Sequence, residues 1–378
     1  MSLNNKHIST NPGSPATRKM TLTPFLFMFI FSSLSSDYLK AEEIMVNGQA
    51  SAWVGYTDDW RGGIRYVPQL SLSGKVLEES HIDAEISLNA YIFDDDTDLK
   101  LYRSWLRYST ERFEMRLGLQ KISFGPAKIL RSLMWFDQLD VRDPLELTDG
   151  VYALLGRYYF LNNANIWVWG LYGNDDLKGL ETFETDEDSV ELGGRYQFPV
   201  PRGEMAFSFH HRNIDKNDWK GKMSRSMSNG TENRYAIDAS FDVGVGLWFE
   251  ASAGEIGITT RKSGWEKFLT LGTDYTFDIS SGIHVLYEHF IESSDSEISE
   301  EDRRYSLSAL SLDFSIGVLD SVNAIGYYDW EEKKTYAYLG WQRTYDNWMV
   351  NLSIFSSRKD ETSLYSGNGF LCMLTYNH

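Results

Sequence analysis

The sequence predicts an all-β fold: a transmembrane antiparallel β-barrel of about 18 strands with one long loop folded inward. Three observations carry that prediction. Segments of about ten residues alternate apolar and polar side chains from about Asn47 to the C-terminus, the pattern of a strand with one face in lipid and one in a polar lumen. Short and long connections alternate along the chain, and no stretch after residue 42 approaches the ~18 apolar residues of a membrane helix. Any membrane crossing must therefore be made by strands.

The chain has 378 residues, a net charge of -18, 15% aromatic residues and one cysteine. The alternating pattern is uniform, with no linker or Pro- or Ser-rich boundary, so residues 43–378 read as one barrel domain. The acidic balance argues against nucleic acid as a partner. Cys372 alone can form neither an internal disulfide nor a thiolate metal cluster. No cofactor or metal site is expected. At the N-terminus, Arg18 and Lys19 precede a short apolar run, Leu22 to Phe31, then a Ser-rich segment and Leu39-Lys40-Ala41. That is the layout of a secretory signal, too short to span a bilayer as a helix. Residues 1–42 read as signal peptide and upstream segment, with cleavage after Ala41.

Taken in order, the candidate strands are 47–57, 63–74, 80–92, 99–110, 111–122, 150–161, 164–174, 187–199 and 203–213. The second half adds 233–244, 245–257, 266–278, 282–293, 303–315, 319–330, 334–345, 347–358 and 368–378. The clearest is 81–90, where Ile82, Ala84, Ile86, Leu88 and Ala90 oppose His81, Asp83, Glu85, Ser87 and Asn89. An even total keeps both termini on one side, as in bacterial single-chain barrels; merging one hairpin would leave sixteen. Turns after even-numbered strands are tight, such as Thr110-Glu111 and Asp346-Asn347, and those after odd-numbered strands are mostly longer and polar. Tyr66, Phe113, Phe160, Tyr196, Tyr235, Tyr275, Phe277 and Trp348 lie on the apolar face near strand ends, where two interfacial girdles belong.

The connection 123–149 departs from the polar loops. It follows Gly125-Pro126 with Ile129, Leu130, Leu133, Met134, Trp135, Phe136 and Leu139. A long loop is usually functional or disordered, and this composition argues against disorder. Folded into the barrel, its apolar residues would pack on the wall, and Lys128, Arg131, Asp137, Asp140, Arg142 and Asp143 would face the pore. The expected constriction set is Arg131, Trp135, Phe136, Asp137, Asp140, Arg142 and Asp143.

On the polar strand faces, Arg103, Arg107, Arg112, Arg116, Arg157 and Arg195, with Arg65, form a basic wall. Asp238, Asp242, Glu250, Asp274 and Glu288 form an acidic wall opposite. Guanidinium forks bind carboxylate and phosphate bidentately and stay charged, so a ladder of them could pass an anion along. The plainer alternative is that these arginines pair with Asp83, Glu85, Glu114 and Glu191 and merely solvate the wall.

Arg103-Ser-Trp-Leu-Arg-Tyr108, Gly118-Leu-Gln-Lys-Ile-Ser-Phe-Gly125 and the spaced acids of Asp137 to Gly150 resemble the outer-membrane porin group that includes the alginate-export porins. The resemblance covers roughly residues 100–172. It implies an eighteen-stranded barrel with an Arg-lined lumen passing an anionic or small polar solute. Where that group usually has Arg before the Gln, this chain has Leu119.

Ser228-Asn229-Gly230 resembles part of the site of outer-membrane phospholipases, but the His expected two residues before the Ser is Ser226. A hydrolase needs a base within hydrogen-bond reach of its nucleophile, so no enzyme activity is expected. The function expected is an outer-membrane porin, a passive channel of a Gram-negative cell, with a plugged structural scaffold or adhesin-like barrel as the alternative. Its expected partners are membrane lipid and lipopolysaccharide, small hydrophilic solutes and the barrel-assembly machinery, with a homo-oligomer left open.

Overall fold

In the computed structural model, residues 40–77, 79–93, 96–215, 230–258, 261–295, 303–358 and 363–378 are described. The first nine strands are β1 Lys40–Tyr56, β2 Trp60–Leu77, β3 Ser80–Phe93, β4 Asp96–Thr110, β5 Phe113–Gln120, β6 Val151–Tyr159, β7 Asn165–Leu171, β8 Glu191–Val200 and β9 Gly203–Ile214. The remaining nine are β10 Gly230–Asp242, β11 Gly246–Ile258, β12 Arg261–Phe277, β13 Ile283–Asp295, β14 Arg303–Ile316, β15 Asp320–Asp329, β16 Lys334–Thr344, β17 Trp348–Ser356 and β18 Asn368–Asn377. Each pairs antiparallel with its neighbour in sequence, and β1 closes on β18 from Gln49↔Asn377 to Tyr56↔Phe370. The sheet is an 18-stranded closed barrel, and all described elements are strands. Closure removes the sheet edge where β1 and β18 pair, which is what lets strands cross lipid.

The alternation decides the faces. On β5, Phe113, Met115 and Leu117 are exposed to the outside while Glu114 and Arg116 are turned inward and half-buried. The same rule puts Val168, Leu339 and Ile354 on the exterior. Tyr66, Phe160, Tyr196, Tyr275, Phe277 and Trp348 form an exposed girdle at the end holding the termini, as expected, and Tyr56, Trp60, Tyr172 and Trp330 are exposed at the other end.

Two boundaries differ from the sequence reading in ways that matter. β1 begins at Lys40, not 47, because residues 40–48 find ladder partners along the lengthened β2 beyond the level where β18 stops. β5 begins at Phe113, not 111. Arg112, placed by sequence on the polar face, is therefore exposed in the β4–β5 turn, its carbonyl accepting from the Tyr159 amide at 2.8 Å.

Candidate functional site: the lumen and its inward loop

The connection between β5 and β6 folds into the barrel and packs on walls far apart in sequence. Its departure point is Gly125, at φ +96, where a Cβ would sit 2.2 Å from a Glu250 carboxylate oxygen. Only glycine permits both the left-handed backbone and that approach. Beyond it, two inward carboxylates hold the loop by its backbone. Glu250 on β11 accepts from the amides of Ala127 and Leu133, both at 2.9 Å. Glu288 on β13 accepts from Lys128 at 2.7 Å, Ile129 at 2.9 Å and Leu130 at 2.6 Å, with the Trp248 indole N–H adding a fourth bond at 3.0 Å. Charge-assisted bonds of this kind contribute about 1.5–3 kcal/mol each. The acidic wall expected from sequence is thus divided. Glu250 and Glu288 are buried clamps for the loop, Asp238 is paired with Arg195, and Asp242 lies exposed at the barrel rim.

The loop's apolar residues dock where the sequence predicted, on the wall, in two clusters. Phe124, Leu133, Trp135 and Phe136 pack with Val151, Leu155, Trp169 and Leu171. Leu130, Ile129, Val141 and Leu145 pack with Trp53, Phe290, Tyr327, Tyr338 and Phe355. Three wall tryptophans receive the loop, and each lies opposite a cross-strand glycine: Trp53↔Gly63, Trp169↔Gly193 and Trp248↔Gly272. Any Cβ at those glycines would come within 2.5 Å of the indole, so the missing side chains leave the rings room to lie against the wall.

The loop's charges do not face the pore as expected. Arg131 and Asp137 are buried and bonded to each other at 2.7 Å, with Arg131 also donating to the Ser123 hydroxyl at 2.9 Å. Arg142 grips Asp140 through Nε at 2.9 Å and Nη2 at 2.6 Å, and donates to the Tyr365 carbonyl at 3.3 Å in the β17–β18 connection. Tyr338 on β16 donates to the Arg142 carbonyl at 3.2 Å. Burial alone would raise the Asp140 carboxyl, but the Arg142 hydrogen bonds and charge hold it well below the usual carboxylate range. Burial pushes the Asp143 carboxyl up, against the Leu145 amide that bonds it at 3.0 Å and the opposing charge of Arg65. Trp135 donates to the Ser252 hydroxyl at 3.3 Å. Lys128 is the loop cation left exposed.

The basic wall separates into distinct environments. Arg103 is buried, donating to the Thr148 carbonyl of the loop at 2.8 Å and lying 3.9 Å over the Tyr102 ring. Arg195 is buried in a two-pronged pair with Asp238, at 2.6 and 2.8 Å. Towards the terminus end, Arg107 pairs with Asp83 at 2.9 Å, while Arg116 and Arg157 share the one Glu114 carboxylate, each at 3.3 Å. Their guanidinium groups lie over Trp105 and Trp167. These are partly exposed and line a vestibule with three guanidinium groups, where Glu85 on the same wall also stands near Arg116.

Sequence reading missed a buried strap after β7. Lys178, Glu181, Phe183 and Thr185 of that connection are buried, and Lys178 bonds Glu191 at 3.0 Å while Arg212 and Arg234 grip Glu181 and Glu232. His210 completes it, accepting at Nδ1 from the Trp169 indole at 3.2 Å and meeting Glu191 at 3.1 Å. The acidic run of that loop gave no sign of burial, because its counter-ions come from β9 and β10. The Ser228-Asn229 pair and the Asp94-Asp95 pair lie outside the described residues.

Among the described residues, two cavities lie on the β1–β2 side of the lumen. One, of about 500 Å³, lies at the terminus end among Gln49, Gln69, Tyr102, Leu145 and His378. The other, of about 590 Å³, lies at the loop end among Trp53, Arg61, Arg65, Tyr91 and Phe93.

A closed, girdled 18-stranded barrel with a loop held across its lumen has the fold of the outer-membrane porins. Among solved structures, the chain is similar to OccD3 (OpdP) of Pseudomonas aeruginosa, at TM-score 0.57 and 10% identity over 90% or so of each chain (89% of this one, 91% of that one). It is similar to the outer membrane protein OmpT of Vibrio cholerae in its trimer form, at TM-score 0.54 and 10% identity, covering 90% and 100%. It is also similar to an anion-selective porin from Comamonas acidovorans, at TM-score 0.52 and 12% identity, covering 89% and 99%. No protein-family profile matches the sequence, and no curated protein aligns with it.

Proposed function

We propose that the protein is an outer-membrane porin, a passive channel for small hydrophilic, anionic solutes, with the inward loop setting its cross-section. The observation that carries this reading is the loop itself, fastened across the lumen by Glu250 and Glu288 between cavities at both ends. Fixed constrictions and charged linings set selectivity by size and field. Anion preference is supported by the vestibule, where Arg116 and Arg157 share one carboxylate. It is further supported by likeness of fold to a porin described as anion-selective. The reading includes no catalytic step. Residues 1–42 would be an export signal and upstream segment, lipid and lipopolysaccharide would surround the barrel, and the barrel-assembly machinery would insert it. A homo-oligomer, as in the trimeric neighbour, is compatible with it.

The test is the reversal potential of refolded protein in a planar bilayer under a salt gradient. The expected result is an anion-selective current whose selectivity falls in Arg116→Ala with Arg157→Ala. A cation preference in the wild type would sink the anionic reading. The apolar docking of the loop on both sides of the lumen favours a second reading, a plugged scaffold, and the absence of any current would establish it instead.

A further inference from the structure

Inside the barrel, Arg103, Arg107, Arg116, Arg157 and Arg195 have carboxylate or carbonyl partners, but Arg65 on β2 does not. It projects from β2 into the loop-end cavity and makes no ion pair among the described residues. Its guanidinium lies 5.3 Å from the Trp53 ring and 5.8 Å from the Tyr91 ring. Trp53 stacks on Phe93 at 6.3 Å. Arg65 Nε and Trp53 Nε1 are both buried donors with no protein acceptor, and the Ser51 hydroxyl, directly across the ladder from Arg65, is likewise unmatched. Leaving buried donors unpaired is costly, on the order of 1–3 kcal/mol each. Such a group of donors, set beside an aromatic wall, suits an acceptor carried on an apolar body.

Three nearby acids are engaged elsewhere, Asp98 by the Tyr91 hydroxyl at 3.4 Å and by Lys100. Asp143 of the inward loop feels the Arg65 charge but bonds the Leu145 amide, and burial disfavours its ionised form. Asp58 on the cavity lining already has a contact of its own. Room for the aromatic wall is built in, since a Cβ at Gly63 would fall 2.3 Å from the Trp53 ring. The cavity, at about 590 Å³, has Arg61 nearer the loop end of β2. Inward residues Arg65, Val67 and Gln69 then follow β2 to the terminus-end cavity, with Leu145 and Leu147 of the loop facing its lining.

We infer that the β1–β3 wall holds a binding site for aromatic monocarboxylates. The carboxylate sits on the Arg65 guanidinium fork, and the ring lies on Trp53, Tyr91 and Phe93. A planar fork matches a carboxylate bidentately, and aromatic faces hold both the cation and an apolar ring. The inference deepens the porin reading by naming a solute class and placing its route along β1 and β2, away from the paired arginines.

Titration calorimetry of the detergent-solubilised protein with phenylacetate tests the site without requiring conduction. Phenylacetate should bind at least tenfold more tightly than acetate or the neutral phenylacetamide. Arg65→Ala should weaken it at least tenfold, Arg65→Lys less, and Arg112→Ala, in the exposed β4–β5 turn, not at all. Should Arg65→Ala fail to fold, as judged by heat-modifiable migration on gels, Trp53→Leu takes its place with the same expected loss. Equal binding of acetate and phenylacetate, or binding unchanged in Arg65→Ala and Trp53→Leu, would overturn the site. Salt current without phenylacetate binding removes the site and leaves the porin; binding without current does the reverse.

Discussion

At Glu288 a single carboxylate directs the path of the chain through the lumen. Three consecutive amides and an indole converge on its two oxygens, so removing it strands several buried donors at once. Glu288→Ala should cost about 4 kcal/mol or more of loop attachment, counted as four unpaired donors at about 1–3 kcal/mol each. Hydrogen exchange read by mass spectrometry should show Lys128 to Leu130 losing their protection while the β13 ladder keeps its own. Glu288→Gln, which keeps one carbonyl acceptor, should fall between. Unchanged exchange in the alanine variant would mean the clamp is not what holds the loop. Glu114 gives the opposite kind of lever. It neutralises one of the two guanidinium groups it touches, so Glu114→Gln should move the reversal potential further towards the anion, and a move towards the cation would contradict the vestibule's assigned sign.

The inward loop as an element behaves as a stapled insert rather than a flexible flap. Its apolar side chains reach two wall clusters, and its charges are spent on internal pairs, Arg131 with Asp137 and Arg142 with Asp140. The pH response of its second half follows from two carboxyls shifted in opposite directions. Asp140 is lowered, so its contribution is complete above the ordinary carboxylate pKa of about 3.9 and is lost as pH falls through its lowered value. Asp143 is raised, so its contribution is complete below that ordinary value and is lost as pH rises through the raised one. Asp143→Asn should therefore increase exchange protection of residues 140–147 at pH 7 and leave it unchanged near pH 3. An equal gain at both pH values would show that the charge of Asp143 is not involved.

For the whole molecule, stability comes from closure and from the match between the apolar exterior and lipid. Leu339, near the middle of β16, is about half exposed on that exterior. Leu339→Arg should cost about 2–4 kcal/mol of folding in vesicles, the range for a basic residue at the bilayer midplane. A denaturant titration of refolding into vesicles reads that cost directly. Arg112→Ala, in the exposed turn, should lie within about 0.5 kcal/mol of wild type, as surface substitutions usually do. A large loss there would mean the turn carries a role that its exposure does not suggest.

The sequence by itself determined the barrel. Side chains alternate faces with period two, so Phe113, Met115 and Leu117 had to share one side and Glu114 and Arg116 the other. The alternation of short and long connections then narrowed the strand number to eighteen or sixteen. It also marked 123–149 as an inserted loop, because no solvent-exposed loop carries Leu133, Trp135 and Phe136 together without burying them. What only the tertiary structure decided was partnership. Whether an inward arginine is free or paired depends on which strand lies across the lumen, and Asp238 reaches Arg195 from 43 residues away. Glu250 and Glu288 look like lumen acids in sequence and are loop clamps in space, because the amides they hold come from more than 110 residues earlier. Arg65 looked like one of seven similar arginines. Its lack of a partner is a fact about the space around it, which local periodicity does not encode.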